Sequence, residues 1–412
     1  MSTPASLTAP VFVPRSGSTW ADPFTMYSRL RTAGPVHRAS PAAGEELEYY
    51  VLPRHADVWR AARDPQTFSS AQGLTLHYGD MEQIGLTDNP PLVMQDPPEH
   101  TAFRSLVVRG FTPRQVSEVE PQVREFVVER LEDLIAAGGG DIVTQLFKPL
   151  PSMVVAHYLG VPAADRVAFD RWTDQIVAAN SGGGSIAEVI ATASGAVTEL
   201  MGYFAELVQR RRREPGDDVV SQLVAAGMGA DDSDTAGLVS ILGFTFTMVA
   251  GGNDTTTGLL GGAVELLERN PDQRRDLWRE PSLIPDAIDE FLRLTSPVQG
   301  LCRTTTTEVQ IDEAQIPAGR RVLLLYGSAN RDETVFGPDA AELDLRRRPR
   351  QILTFAQGPH HCLGAAAARM QARVALEELI ARVGDITVDL DGIRWATGAY
   401  VRRPASVPVQ LG

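Results

Sequence analysis

Apolar residues recur at helical spacing, with few β-branched runs, over 113–137, 152–178, 194–213 and 236–269. This periodicity predicts four long helices. Gly138-Gly139-Gly140 and Gly182-Gly183-Gly184 punctuate them and predict loops. The first forty residues are rich in Pro, Ala, Ser and Thr and read as an extended arm, followed by short β-like runs such as Tyr49-Tyr50-Val51-Leu52. The chain turns helical past Pro98. Val309 to Ile316, the turn Pro317-Ala318-Gly319 and Val322-Leu323-Leu324-Leu325 predict short strands, and the tail from Ile386 to Val409 is strand-like. No repeat or linker divides the chain. The expected architecture is one domain over 1–412, mainly α with small β-sheets. Residues 98–303 are mainly helical; 1–70 and 304–412 include the β-rich parts.

Composition narrows the class. A chain of 412 residues, 43% hydrophobic and 22% charged, buries a substantial core without staples. Lys plus Arg number 38 against 52 Asp plus Glu, a net charge of −14. That balance argues against nucleic acid or anionic membrane as the main partner. Two cysteines exclude a disulfide framework and suit a reducing compartment. The first residues show no secretory pattern, so a cytoplasmic location is expected. From Thr235 to Asn253 there is no charge, close to the length of a membrane span. The segment is rich in Gly, Ser and Thr and runs into Asp254, so it reads as a buried core helix, with no membrane partner.

Chemistry concentrates in Thr354 to Arg369, TFAQGPHHCLGAAAAR. Cys362 follows a turn-rich loop and precedes an Ala-rich helix. Backbone N–H groups and the positive helix end favour a thiolate there, so its pKa is expected to fall. Gly358 and Gly364 would let backbone approach on both sides of the sulfur. Such a cysteine suits a nucleophile or a metal ligand; the plainer reading of a lone cysteine is a small buried hydrophobe. Zinc held by His360, His361 and Cys362 fits poorly, because adjacent ligands do not readily converge on one tetrahedral ion.

Phe355, Gly358, His360, Cys362, Gly364, Ala368 and Arg369 resemble the haem-binding loop of the cytochrome P450 family, F-x-x-G-x-[HR]-x-C-x-G followed by A-R. The resemblance makes Cys362 the axial ligand of the iron of haem b (iron protoporphyrin IX), with Phe355 beside the cofactor. A thiolate trans to oxygen pushes electron density onto the iron and favours O–O cleavage.

Other segments are similar to the family's remaining signatures. Ala250-Gly251-Gly252-Asn253-Asp254-Thr255-Thr256 places two glycines inside a predicted helix, at about 1 kcal/mol each relative to alanine. Close approach of a ligand or another backbone is the expected reason. Thr255 lies four residues after Gly251, so its hydroxyl can bond that carbonyl. By resemblance, Gly251 lies beside the cofactor, and Asp254 and Thr255 relay protons to dioxygen. Glu290 and Arg293 stand three apart on a helix and can pair; they match the family's E-x-x-R. Arg347 is chosen as the third member of that structural triad, with Arg346 and Arg348 flanking it. His100 and Arg104, at i and i+4, match the family's H-x-x-x-R. With Arg303 and His360 they would meet the two haem propionates, which need cationic or hydrogen-bonding partners.

The bland readings are kept for other residues. Cys302 has no helix start beside it and reads as a small packing residue. The Arg210–Arg213 run reads as the solvated end of a helix. Arg346, Arg347, Arg348 and Arg350 would form a basic patch for an acidic electron-transfer protein, or a solvated turn.

The resemblance covers essentially the whole chain and points to the soluble actinobacterial branch. It implies an oxidoreductase: a haem-thiolate monooxygenase that inserts one oxygen atom of O2 into a small apolar organic substrate. Electrons would come from a soluble ferredoxin and its reductase. The substrate pocket would draw on the 71–95 segment, Gly243, Thr247, Ala250, Val298 and Gln299. A peroxygenase, dehydratase or isomerase on the same fold is the alternative, as is a haem-binding sensor without turnover.

Overall fold

Glycine and proline set where the predicted elements begin and end. The structure, a computed structural model, describes residues 10–39, 48–180 and 186–412, so the expected Gly182–Gly184 loop lies outside the described residues.

The expected extended arm contains helix α1 (Phe24–Ala33), formed because Met26, Tyr27 and Leu30 share a side that buries. Strands β1 (His37–Ala39), β2 (Tyr49–Leu52) and β3 (Phe68–Ser69) follow. Helix α2 (Glu99–Val107) leads to α3 (Pro113–Ala136), which starts on Pro at its first position and a capping box between Thr112 and Gln115. The glycines expected to form only a loop instead supply β4 (Gly139–Asp141). At Gly139 the φ is +134°, and a Cβ would come 2.3 Å from the Val409 carbonyl oxygen, so only glycine pairs this closely.

The long helix expected over 152–178 is two: α4 (Pro149–Tyr158) and α5 (Arg166–Asn180). Between them Gly160 has φ +73° and Pro162 follows, and a side chain at Gly160 would strike Asp218. Helices α6 (Ser194–Arg213), α7 (Thr235–Arg269) and α8 (Ile284–Thr295) complete the helical part. Then come β5 (Leu301–Thr305), β6 (Arg321–Leu324), α9 (Ala365–Arg382), β7 (Ile386–Val388) and β8 (Pro408–Leu411). The run Val309 to Ile316 is not one strand: Val309–Ile311 folds back on Ala314–Ile316, with Asp312 at positive φ in the turn. The main sheet has the order β1-β2-β6-β5-β3, with β2 and β6 parallel. A second sheet, β4-β8-β7, brings the C-terminus against the end of α3.

Helix α7, 35 residues long, runs through the helical part and packs on α4, α5, α6, α8 and α9. Its first half is not the buried core helix expected: only 22% of its most apolar 18-residue window is buried. Gly243, Thr247 and Ala250 are half-buried and Gly251 is exposed, one stripe at helical spacing that neighbouring helices leave uncovered. From Asn253 onward most of the helix is buried.

A charge cluster ties α8 to the long loop before α9. Glu290 and Arg293 are both fully buried, and Arg293 donates to both carboxylate oxygens at 2.7 Å. Arg293 also donates to the carbonyls of Asn330, Ala340 and Glu342. Arg347 closes the group through Nε to Glu290 at 3.2 Å and through its terminal nitrogen to Asp339 at 2.9 Å. Arg346 and Arg348 pair elsewhere, with Glu280 and Asp286. Replacing Glu290 by Gln leaves the fully buried Arg293 guanidinium without a counter-charge, while Arg347 keeps Asp339. Urea unfolding of Glu290→Gln should therefore show a loss of about 3–5 kcal/mol; an unchanged midpoint would refute the structural role.

Candidate active site

The loop carrying Cys362 is shaped by contacts made before the cysteine is reached. Leu353 N–H donates to the Asn330 side-chain oxygen at 2.7 Å, and the Thr354 hydroxyl to the Leu292 carbonyl at 2.7 Å. Ala356 and Gly358 take positive φ, +54° and +70°. The chain then turns back, so that Cys362 N–H reaches the Phe355 carbonyl at 2.9 Å. Arg369 lies over the Phe355 ring, 4.7 Å from its centroid, and pairs with Asp289 at 2.8 Å. Gly358 serves an approach other than the one expected. A Cβ there would come 2.6 Å from the Ala62 carbonyl, so the glycine admits the backbone of the last turn of the helix over residues 55–63 and not the sulfur.

Cys362 is reachable by solvent. Enough protein nevertheless surrounds the sulfur that burial dominates and raises its pKa, against the Gly364 N–H, Arg104 and Arg369, which favour the thiolate. Accessible yet crowded describes a recess. The expected fall in pKa is thus overturned: loss of water outweighs one N–H and two cations. A bound metal ion would supply the missing charge, since it deprotonates a coordinating thiol outright. Cys302 is a packing residue, fully buried among Tyr27, Leu30, Val51 and Leu323, with burial pushing its thiol up to about 12.

Cationic and imidazole side chains from three elements gather beside this loop. The His100 and His360 ring centroids are 4.3 Å apart. Arg104, one turn along α2 from His100, donates to the His361 carbonyl at 2.5 Å. Arg303, buried on β5, donates to the Cys302 carbonyl at 2.7 Å. Burial, then Arg303, His100 and Arg104, drive the His360 pKa down to about 3, so its ring is neutral. His360 Nε2 lies 3.1 Å from the Ser70 hydroxyl, a partner the sequence did not flag. His100 is 1% exposed, yet neither ring nitrogen has a hydrogen-bond partner among the described residues. Buried polar atoms normally find partners. Two arginines around orphaned imidazole nitrogens fit an anionic group such as a carboxylate.

Helix α2 also touches α7: the Phe103 and Phe244 rings meet edge to face at 6.0 Å. Two turns on, the adjacent glycines separate in role. A Cβ at Gly252 would strike Val155 at 2.7 Å, so that glycine serves helix packing, whereas Gly251 faces open space. The Thr255 hydroxyl donates to the Gly251 carbonyl at 3.0 Å. Asp254 is buried and bonded at 2.6 Å to Arg403 Nε, a partner far along the chain that no local pattern revealed. Burial raises the Asp254 carboxyl to about 6, opposed by Arg403 and then Lys148.

A match to the cytochrome P450 family model runs from residue 77 to 383. The chain belongs to the cytochrome P450 family. It is 65% identical over 396 residues to cytochrome P450 130 of Mycobacterium tuberculosis, covering 96% of both chains. It is 34% identical over 400 residues to the vitamin D(3) 25-hydroxylase of Pseudonocardia autotrophica, again covering 96% of each. Among solved structures, cytochrome P450 CYP109Q5 from Chondromyces apiculatus superposes with a TM-score of 0.81 at 32% identity, over 95% of this chain and 96% of that one. The fold is the P450 fold, the family's cofactor is haem, and the protein is an oxidoreductase of the P450 monooxygenase class.

Other expected site residues fall as follows. Gly243 sits against Pro91, 3.9 Å from where its Cβ would lie, and the Thr247 hydroxyl donates to the Gly243 carbonyl at 2.8 Å. Val298 is half-buried and bridges Val401. Gln299 is not a lining residue: it is 1% exposed, and its amide is spent on the Thr295 and Ser296 carbonyls at the end of α8. The basic patch is also weaker than expected, because Arg346, Arg347 and Arg348 are all paired with carboxylates. Arg211 and Arg212 are no solvated helix end; they hold Asp218 at 2.7 Å and the Gly229 carbonyl at 2.6 Å.

Gly358→Ala forces a Cβ toward the Ala62 carbonyl from a left-handed backbone. Its expected cost is about 1–3 kcal/mol. Thermal unfolding and haem titration of the variant should show a lower midpoint and weaker haem retention; wild-type values for both would refute the assigned constraint.

Proposed function

We propose that the protein is a monooxygenase that places one atom of O2 into a small apolar organic substrate, with Cys362 as the residue that would hold haem b through its sulfur. The observation that carries this reading is the Cys362 recess flanked by His100, Arg104, Arg303 and His360. Haem, when bound through a thiolate, supplies dioxygen activation with electron push from the sulfur.

The chain's own residues do the rest. Phe355 and the Gly364 N–H fix the loop about the sulfur. Arg104 and Arg303 supply positive charge for the propionates, and neutral His100 and His360 supply hydrogen-bond donors. Gly251 leaves space beside the cofactor. Asp254, raised to about 6, takes up and releases a proton close to neutral pH, and Thr255 hands it toward the cleft. The half-buried stripe of Gly243, Thr247 and Ala250, with Val298, lines the substrate side and excludes water from it.

Electrons are assigned to a soluble ferredoxin and its reductase, and the working location to the cytoplasm. The whole chain, 1–412, is taken as one domain. Asp254 beside Thr255 favours dioxygen chemistry over a peroxide-driven, dehydratase or isomerase reaction, because the pair suits delivery of the protons that dioxygen reduction consumes.

The test is the reduced, CO-bound spectrum. The purified protein should show the red-shifted Soret band of thiolate ligation, and Cys362→Ala should lose it while remaining folded by circular dichroism. A folded protein that is colourless and takes up no added haem would overturn the assignment.

A further inference from the structure

Asp254 and Glu265 lie eleven residues apart on α7, three turns, and so share one face of the helix. Gly258 and Gly261 stand between them. A Cβ at Gly258 would come 3.0 Å from the Arg402 carbonyl, and one at Gly261 would come 3.0 Å from Pro404. The two glycines thus let residues 402–404, near the C-terminus, lie directly on the helix. Two consecutive arginines of that segment each take one carboxylate of the face: Arg402 bonds Glu265 at 3.1 Å and Arg403 bonds Asp254 at 2.6 Å. All four side chains are nearly or fully buried.

Thr255, next in sequence, projects about 100° further round the helix, because neighbours on a helix do not face each other. Its hydroxyl lies on the exposed side, on the Gly251 carbonyl. Asp254 is therefore held on the C-terminal side while its proton is needed on the other. The remaining charged group acting on Asp254 is Lys148, just before α4, itself paired with the exposed Asp174 of α5 at 2.9 Å. The carboxyl thus feels the field of a solvent-touching ion pair and belongs to the residue immediately before the threonine. Burial favours its acid form; Arg403 is the first opposing influence and Lys148 the second.

We propose that Arg403 is a positioning residue for proton delivery: its bond to Asp254 orients the carboxyl and sets how readily it takes and gives a proton. The proposal rests on the relay assigned to Asp254 and Thr255 above. In the step, Asp254 takes a proton arriving from solvent on the Lys148 side and passes it to the Thr255 oxygen. The Thr255 hydroxyl gives its own proton into the cleft. The carboxylate is restored and pairs again with Arg403. One proton enters and one leaves, and no electron moves.

The infrared carbonyl band of protonated Asp254, isolated as the difference between wild type and Asp254→Asn, reads the carboxyl without turnover. Removing an adjacent guanidinium should raise its midpoint by about 1–3 pH units. Arg403→Gln should show that rise, and the pH profile of substrate-coupled NAD(P)H turnover should move the same way, with the CO-bound spectrum unchanged. Arg403→Lys keeps the charge but not the Nε contact and should show a smaller rise; it carries the test if Arg403→Gln does not fold. A midpoint unmoved in the variants that fold overturns the proposal. If Asp254→Asn slows turnover in that case, the relay stands and Arg403 is only a strut. If Asp254→Asn turns over at the wild-type rate, the relay itself fails and the proposal falls with it.

Discussion

A buried guanidinium must find enough oxygen to replace the water it leaves. Arg293 does so completely, through both oxygens of Glu290 and three backbone carbonyls drawn from residues 330–342. Those carbonyls belong to a stretch with little regular structure of its own, so the arginine fixes its path. Asn330 then passes the constraint on: its carbonyl serves Arg293 while its side chain holds Leu353 N–H and the Thr354 hydroxyl. Two residues later the chain enters the turn that aims Cys362. A buried charge cluster thus sets the path of the loop that carries Cys362.

The same accounting explains an apparent contradiction of charge. The chain carries a net −14, yet the groups around Cys362 are Arg104, Arg303 and Arg369 with two neutral histidines. Net charge describes a surface; a recess is governed by what lies within a few ångströms. Crowding there raises the thiol's pKa and keeps the His360 ring uncharged, and of the three cations Arg369 is answered by Asp289. Such a recess is built for an anionic, metal-bearing ligand. Elsewhere, nearby carboxylates offset exposed arginines: Arg346 and Arg348 are neutralised by Glu280 and Asp286.

Much of the site was legible in the sequence because its signals are local. Phe355, Gly358 and Cys362 lie within one turn of chain, and His100 with Arg104, or Glu290 with Arg293, follow helix geometry. Where the reading failed, a distant partner decided. Gly139 forms a strand because Gln410 pairs with it, Gly358 answers to the Ala62 carbonyl, and Gln299 is consumed by the end of α8. The break at Gly160 was readable in principle from Gly160-Val161-Pro162, but a continuous apolar period concealed it. The thiol's direction of shift was misjudged because a motif shows donors and not the degree of crowding.

Arg403 is the clearest case of a residue visible only after folding. Nothing in Val401-Arg402-Arg403-Pro404 marks chemistry, and the glycines that admit it, Gly258 and Gly261, read as helix weaknesses. Each would cost about 1 kcal/mol relative to alanine in an exposed helix. Here they let an arginine backbone come close enough for its side chain to reach Asp254. In the proposed relay the acid would stand under the control of the last strand region of the chain, while its alcohol partner remains on the open face of the helix. An acid–alcohol pair split in this way would let a carboxyl held by a buried ion pair serve a hydroxyl on the opposite, open side of the same helix.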